Sequence, residues 1–108
     1  MASVLLAASA SAEEYVYTVT IKDHKFSPQE LIVPVNQKIQ LVVENQDATA
    51  EEFDSKDLDI EKTVEANKSA TISIDPLKAG KYEYTGKQHE DTAKGVIIVA
   101  EEYEGTGE

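Results

Sequence analysis

Hydrophobic and polar residues alternate along most of the chain with the period of a β-strand. Residues 17–22 read YTVTIK, so every second side chain is apolar. A period of two places alternate side chains on opposite faces of a strand. Further alternating segments or short apolar runs occupy 31–33, 39–43, 70–74, 80–84 and 96–99. No segment sustains a helical period, so the pattern predicts an all-β, Greek-key antiparallel β-sandwich of about 6–8 strands.

The segment from Asn45 to Asp59 interrupts this alternation, and we predict a long loop there with at most one short strand. Eight acidic residues lie from Glu44 to Glu61, against one basic residue, Lys56. Like charges at this density repel one another, so the loop is either well solvated or holds a cation. Composition alone favours the solvated loop.

Residues 1–12, MASVLLAASASA, form a short apolar run that ends in Ala10-Ser11-Ala12. That ending fits the small-residue cleavage rule of signal peptides, although no positively charged segment precedes it. We expect residues 1–12 to be a signal-peptide remnant or tail, 13–101 the folded domain and 102–108 an acidic C-terminal tail. The protein is then exported to the periplasm. The apolar run is too short for stable insertion into a membrane.

Charge narrows the classes of partner. The net charge is −11, and all ten basic residues are lysines. A negative field repels nucleic acid, which we exclude as a partner, and concentrates cations. The 108 residues contain no cysteine. Disulfides, zinc–thiolate centres, iron–sulfur ligation and thiol nucleophiles are therefore excluded.

Two histidines are the candidates for chemistry. His89 lies with Glu90 and Asp91 in a polar hairpin loop before the last strand. Imidazole suits copper, iron, nickel and zinc, whereas carboxylates suit harder cations. His24 follows the first predicted strand, where a surface turn is the ordinary interpretation. It joins His89 only if that turn folds toward the same end of the sandwich.

Four segments in order resemble a cupredoxin domain: FSPQELIVP at 26–34, LVVEN at 41–45, GKYEY at 80–84 and GVIIV at 95–99. Cupredoxins hold copper with an early His, followed by Cys, His and Met on the final hairpin. The positions that match these ligands here are, in that order, Glu51 or Glu52, Thr85 or Gly86, His89, and Ala93 or Lys94. One ligand of the four remains. Blue copper requires the thiolate, so blue-copper electron transfer is excluded.

Segments 51–55 and 89–95 also resemble the cysteine-free cupredoxin-like proteins found with bacterial high-affinity iron-uptake permeases. This resemblance implies a periplasmic accessory protein that binds an iron or copper ion, assists ferrous oxidation and passes the ion to a membrane permease. The implied ligands are His89 with Glu51 or Glu52. Loop 45–53 and the last hairpin lie at one end of such a sandwich, so these groups are expected to converge. Glu90 and His24 complete the candidate metal site.

Other functions remain open beside this one. A metal-free module could dock a basic partner through the acidic loop. Hydrolysis by paired carboxylates is disfavoured, because the adjacent Glu51 and Glu52 would face opposite sides of a strand. The enzymatic activity that remains open is at most a ferroxidase-like reaction. A homodimer could form by pairing of the first and last strands.

Overall fold

The computed structural model describes residues 15–101, which form nine strands in two sheets. The predicted tails, 1–12 and 102–108, lie outside the described residues. Within 15–101 there is no helix long and apolar enough to cross a membrane. A 3₁₀ turn, Lys87–His89, precedes the last strand. The strands are β1 Tyr15–Lys22, β2 Lys25–Ser27, β3 Glu30–Pro34, β4 Ile39–Asn45, β5 Glu51–Ser55, β6 Ile60–Val64, β7 Ser69–Ile74, β8 Gly80–Gly86 and β9 Lys94–Ala100.

The two sheets have the strand orders β2-β1-β4-β7 and β3-β9-β8-β5-β6. The predicted all-β sandwich is confirmed. The pairs β1–β4 and β3–β9 are parallel and the remaining pairs are antiparallel, so both sheets are mixed rather than purely antiparallel. The nine strands of the described region exceed the predicted 6–8 because the short β2 and the strand β6 were not recognised from the sequence.

The core is built from alternate residues of the strands. In β4, Ile39, Leu41 and Val43 are each at most 1% exposed, and the residues between them are half-buried. Burying one such side chain contributes about 1.5–3 kcal/mol. Three aromatic rings add to this core: Tyr84 stacks on Phe53 at 4.7 Å between centroids and meets Phe26 edge-on at 4.9 Å.

The segment 45–59, predicted as a long loop with at most one short strand, contains one short strand, β5, which forms a hairpin with β6 just beyond the segment. The inward positions of β5 are Glu51, Phe53 and Ser55, which are 2%, 0% and 2% exposed. Two of these three buried residues are polar, so no alternation of hydrophobicity marks the strand in the sequence. The expected placement of Glu51 and Glu52 on opposite faces is confirmed by the burial pattern.

The last strand is not an edge of its sheet. It pairs with β3 over Val96–Ala100 and with β8 over Lys94–Val99. The expectation that the first and last strands pair across a dimer is therefore wrong for β9, which has both backbone sides occupied.

Candidate functional site

His24 lies in the two-residue turn between β1 and β2, where Lys22 pairs with Lys25. The turn residues Asp23 and His24 have φ angles of 53° and 60°. Two successive positive φ angles are those of a type I′ turn, which suits the twist of a β-hairpin. Asp and His are enriched among the non-glycine residues that adopt this conformation.

The two histidines of the chain meet at one end of the sandwich. The rings of His24 and His89 are stacked, with centroids 3.5 Å apart and planes inclined by 7°. The first turn thus folds toward the last hairpin, which was the condition for His24 to join His89. Within residues 15–101, the imidazole of His24 makes no hydrogen bond, whereas His89 is held by a carboxylate.

That carboxylate belongs to Glu51, whose side chain is 2% exposed. Its Oε1 lies 2.7 Å from Nδ1 of His89. Its Oε2 accepts hydrogen bonds from the amide of Gln88 at 2.8 Å and the amide of Glu52 at 3.3 Å. An ionised carboxylate only accepts, so Nδ1 of His89 donates to it, and in the neutral ring Nε2 then keeps its lone pair for a ligand. A carboxylate that orients a histidine in this way is typical of metal sites.

Gly86 makes room for this carboxylate. A Cβ atom at Gly86 would lie 2.7 Å from Cδ of Glu51, and 2.8 Å from both Oε2 of Glu51 and Cβ of Ala93. Gly86 is also one of the two positions that match the cupredoxin cysteine. The buried carboxylate of Glu51 therefore occupies space that a side chain at this position would enter, so oxygen stands beside the imidazole in place of sulfur.

The other predicted site residues are divided. Glu52 borders a recess of about 410 Å³ together with His24, Glu51 and His89. Glu90 is exposed and does not border that recess. It borders a second one with Asp54. The structure thus brings four of the five predicted residues to one recess, whereas Glu90 shares only a separate recess with His89.

The sequence analysis did not identify Asn45 and Asp47, whose hydrogen bonds hold the backbone around the site. Asn45 is 2% exposed and its Nδ2 donates to the carbonyl oxygens of Thr49, Val64 and Glu65 at 2.9, 3.1 and 3.3 Å. The carboxylate of Asp47 accepts hydrogen bonds from backbone amides 23 and 24 positions earlier in the chain. The only local signal is an Asn at the predicted end of a strand, which does not reveal partners so distant.

The donor types at the recess suit a metal ion of borderline hardness: two imidazoles and the carboxylate of Glu52 at the rim, with Glu51 holding one ring. Among the described residues, the three ligand atoms found within 4.8 Å of one another belong to Glu52, Asp54 and Glu61, so Glu52 and the two histidines are not yet close enough to share an ion. No thiolate is present, and the one methionine of the chain is Met1. Such nitrogen and oxygen donors suit Cu(II), iron or zinc, but not a blue-copper centre. The lone pairs of an imidazole lie in its ring plane, so two stacked rings share one ion only when one of them tilts.

Comparisons with known proteins agree with this fold. The family model described as a cupredoxin-like domain matches residues 1–99. A curated relative, an uncharacterized protein of Rickettsia prowazekii (strain Madrid E), is 53% identical over 81 residues, which are 75% of this chain and 65% of the relative. The chain therefore spans less than two thirds of the length of that relative.

Solved structures of copper proteins share the architecture. Auracyanin A, a blue copper protein of Chloroflexus aurantiacus, superposes with a TM-score of 0.69 at 13% identity, over 82% of this chain and 100% of auracyanin. The metal binding domain of the Cu(I)-exporting P-type ATPase CopA of Streptococcus pneumoniae D39, solved with Cu(I), gives 0.72 at 14% identity, over 84% of this chain and 92% of that domain. Identities this low establish a common fold alone.

Proposed function

The chain belongs to the family of cupredoxin-like domains, and on that premise we propose that it binds a copper or iron ion between His24, His89 and the rim carboxylate of Glu52. The observation that supports this most is the meeting of the two histidines of the chain, which stack at 3.5 Å although they are far apart in sequence. The Glu51 carboxylate on Nδ1 of His89 leaves the other ring nitrogen available to an ion.

The biological role we propose is that of a periplasmic accessory protein for iron uptake, which delivers its ion to a membrane permease. The resemblance to proteins found with iron permeases and the leader-like residues 1–12 support this role. Carboxylate and imidazole ligands stabilise Fe(III) relative to Fe(II), which favours loss of an electron from bound ferrous iron to an external oxidant. Cu(II) would bind the same donors more tightly, following the Irving–Williams order.

Calorimetric titration of the full chain with Cu(II), Fe(II) and Fe(III) tests the proposed site. We expect His24→Ala and His89→Ala each to weaken binding at least tenfold, since even loss of an outer-shell partner typically weakens metal binding about 10–100-fold. Glu90→Gln is the matched control and should bind like wild type, because Glu90 does not border the recess. Binding that is equal in wild type and both histidine variants, or absent at micromolar metal, contradicts the proposal.

A second candidate is a metal-free module that docks a basic protein. It is favoured by the carboxylates of Glu52, Asp54 and Glu61, whose oxygens lie within 4.8 Å of one another. Among the described residues, a lysine–carboxylate ion pair forms only between Lys38 and Asp75, so this acidic face has no lysine in contact. Association with a basic partner would then weaken steeply with salt.

A further inference from the structure

We propose that Asp47 is a positioning residue of the metal site, because it holds the turn that carries His24. The inference rests on the proposed metal-binding function and adds to it the group that fixes the second imidazole. It further follows that one short connection, from Asn45 to Glu51, determines where both histidines lie.

The turn that carries His24 needs support from outside itself. Asp23 and His24 both have left-handed backbone angles, φ 53° and 60°, and neither is a glycine. For a residue with a Cβ atom this conformation costs about 1–2 kcal/mol. The turn would relax toward other conformations if nothing held it, and the imidazole of His24 would leave the ring of His89.

Asp47 supplies that support through both carboxylate oxygens. Oδ1 accepts the amide N–H of Asp23 at 2.8 Å, and Oδ2 accepts the amide N–H of His24 at 3.0 Å. Hydrogen bonds to an ionised acceptor are roughly twice as strong as neutral ones. Gripping two successive amides fixes both peptide planes of the turn, and hence the direction in which the His24 side chain leaves the backbone.

Asp47 is itself held on a rigid backbone. Its amide donates to Oδ1 of Asn45 at 3.0 Å, and its carbonyl accepts the amide of Asn67 at 3.0 Å. Asn45 is buried and anchored by three carbonyl oxygens. The carboxylate that holds the His24 turn is therefore fixed by hydrogen bonds to the sheet and does not belong to a loosely held loop.

The same connection also reaches the other histidine. Glu51 follows Asp47 by four positions and bonds the ring of His89 at 2.7 Å. Asp47 thus acts on the backbone of one histidine and Glu51 on the ring of the other. Because both act from one anchored stretch of chain, the two imidazoles are held next to each other before an ion arrives, and the tilt of one ring is the rearrangement that binding still requires.

The experiment compares Asp47→Asn and Asp47→Ala with wild type in two measurements. Proton NMR of the metal-free protein reports the stack, because rings 3.5 Å apart shift each other's protons upfield. Titration with Cu(II) reports the site. The control is Asp57→Asn, whose carboxylate accepts the amide of Glu83 at 2.9 Å and holds neither histidine turn nor ring.

We expect both Asp47 variants to lose the upfield shifts of the His24 and His89 ring protons, and to bind Cu(II) about tenfold or more weakly. Asp57→Asn should keep both properties. Adding Asp23→Gly to Asp47→Ala should recover part of the stack, because glycine adopts a positive φ without steric cost. General destabilisation predicts no such rescue. Should Asp47→Ala fail to fold, Asp47→Asn, which preserves the side-chain shape, decides the question.

Unchanged ring shifts in the folded Asp47 variants overturn the proposal, even if Cu(II) affinity falls, because Asp47 would then act by a route other than His24. If the upfield ring shifts are lost but the Cu(II) affinity is unchanged, Asp47 holds the turn but is not a positioning residue of the metal site, and the proposal is also overturned. A wild-type protein that binds no Cu(II) or iron instead refutes the proposed function. In that case the NMR arm still reports whether Asp47 holds the turn.

Discussion

Two polar side chains in the core satisfy their hydrogen bonds to different degrees. Glu51 is 2% exposed, and both of its oxygens accept hydrogen bonds. Tyr84 is 1% exposed, yet its hydroxyl has no hydrogen-bond partner in the described region. A buried hydroxyl without a partner loses its hydration and gains nothing in exchange. The carboxylate of Glu51 is therefore fully hydrogen-bonded in its buried position, whereas Tyr84 stabilises the core through the packing of its ring.

We expect Tyr84→Phe to raise the free energy of unfolding at pH 7 by up to about 1 kcal/mol, since it removes an unsatisfied buried group while keeping the aromatic packing. Chemical denaturation of the two proteins measures this difference. A loss of more than about 1 kcal/mol would instead mean that the hydroxyl forms a bond that offsets its desolvation.

The same substitution has a pH signature. Burial raises the pKa of Tyr84 from 10.0 to about 12. Below pH 10 the hydroxyl is protonated in both the folded and unfolded states, and it adds no pH dependence. Between pH 10 and about 12 only the unfolded state loses the proton, so stability falls with rising pH by about 1.4 kcal/mol per unit of pKa difference. Tyr84→Phe should remove that part of the alkaline decline, and an identical decline in both proteins would contradict it.

Gly86 is the residue on which the placement of Glu51 depends. We expect Gly86→Ala to displace the Glu51 carboxylate, because the new Cβ would lie 2.7 Å from its Cδ. Overpacking of this kind costs about 1–3 kcal/mol, and loss of the group that orients His89 should weaken metal binding about 10–100-fold. Denaturation and metal titration measure the two effects.

Gly95→Ala provides the comparison. A Cβ at Gly95 would lie 2.4 Å from the Tyr84 ring, so this variant should also lose stability. Its folded fraction should retain wild-type metal affinity, because the ring contacts of Tyr84 in the described region are with Phe26 and Phe53 rather than with either imidazole. Equal loss of affinity in both variants would attribute the Gly86→Ala effect to the core rather than to Glu51.

At the scale of elements, the β5–β6 hairpin combines a buried inner face with a repulsive outer one. Asp54 pairs directly opposite Glu61 in the antiparallel register, and Glu52 lies within 4.8 Å of both. Like charges in opposed positions destabilise a sheet. The hairpin forms nevertheless because Phe53 and Val64 are buried in the core.

We expect Glu61→Lys to raise the free energy of unfolding by about 0.5–1 kcal/mol at low ionic strength, since it converts a repulsive cross-strand pair into an attractive one. The gain should shrink in 1 M salt, where screening is strong. Glu65→Lys makes the same change of charge at an exposed position outside the cluster. An equal gain from Glu65→Lys would attribute the effect to net charge instead.

At the scale of the whole molecule, a bound ion must stabilise the fold if it binds only the folded state. Copper at about 100 times its dissociation constant should raise the free energy of unfolding by about 2.7 kcal/mol. Thermal unfolding with and without a chelator measures the shift, and His89→Ala should reduce it to about 1.4 kcal/mol or less at the same copper concentration, because its affinity is at least tenfold lower. If the melting temperature is the same with metal and with chelator, the result favours the second candidate function, a metal-free module that docks a basic protein.

The resemblance to a cupredoxin-like domain, predicted from four segments, is confirmed. The sequence contains no cysteine to supply a thiolate ligand. The position of β5 within the segment 45–59 could not be predicted, for a physical reason. Prediction from alternation assumes that buried positions are apolar, but β5 buries Glu51 and Ser55. Because two of the three inward residues of β5 are polar, the strand has no periodic signal at the position that borders the candidate site.

The sequence by itself determined the all-β class, the family and the absence of sulfur ligands on the last hairpin, because alternation and residue identity are local properties of a chain. Only the tertiary structure decided that His24 meets His89, that Glu51 is buried beneath them, and that Asp47 holds the first turn. These contacts join residues 23 to 65 positions apart in sequence. No local pattern encodes such pairs, since they exist only once the two sheets have closed and brought three separate connections to one end.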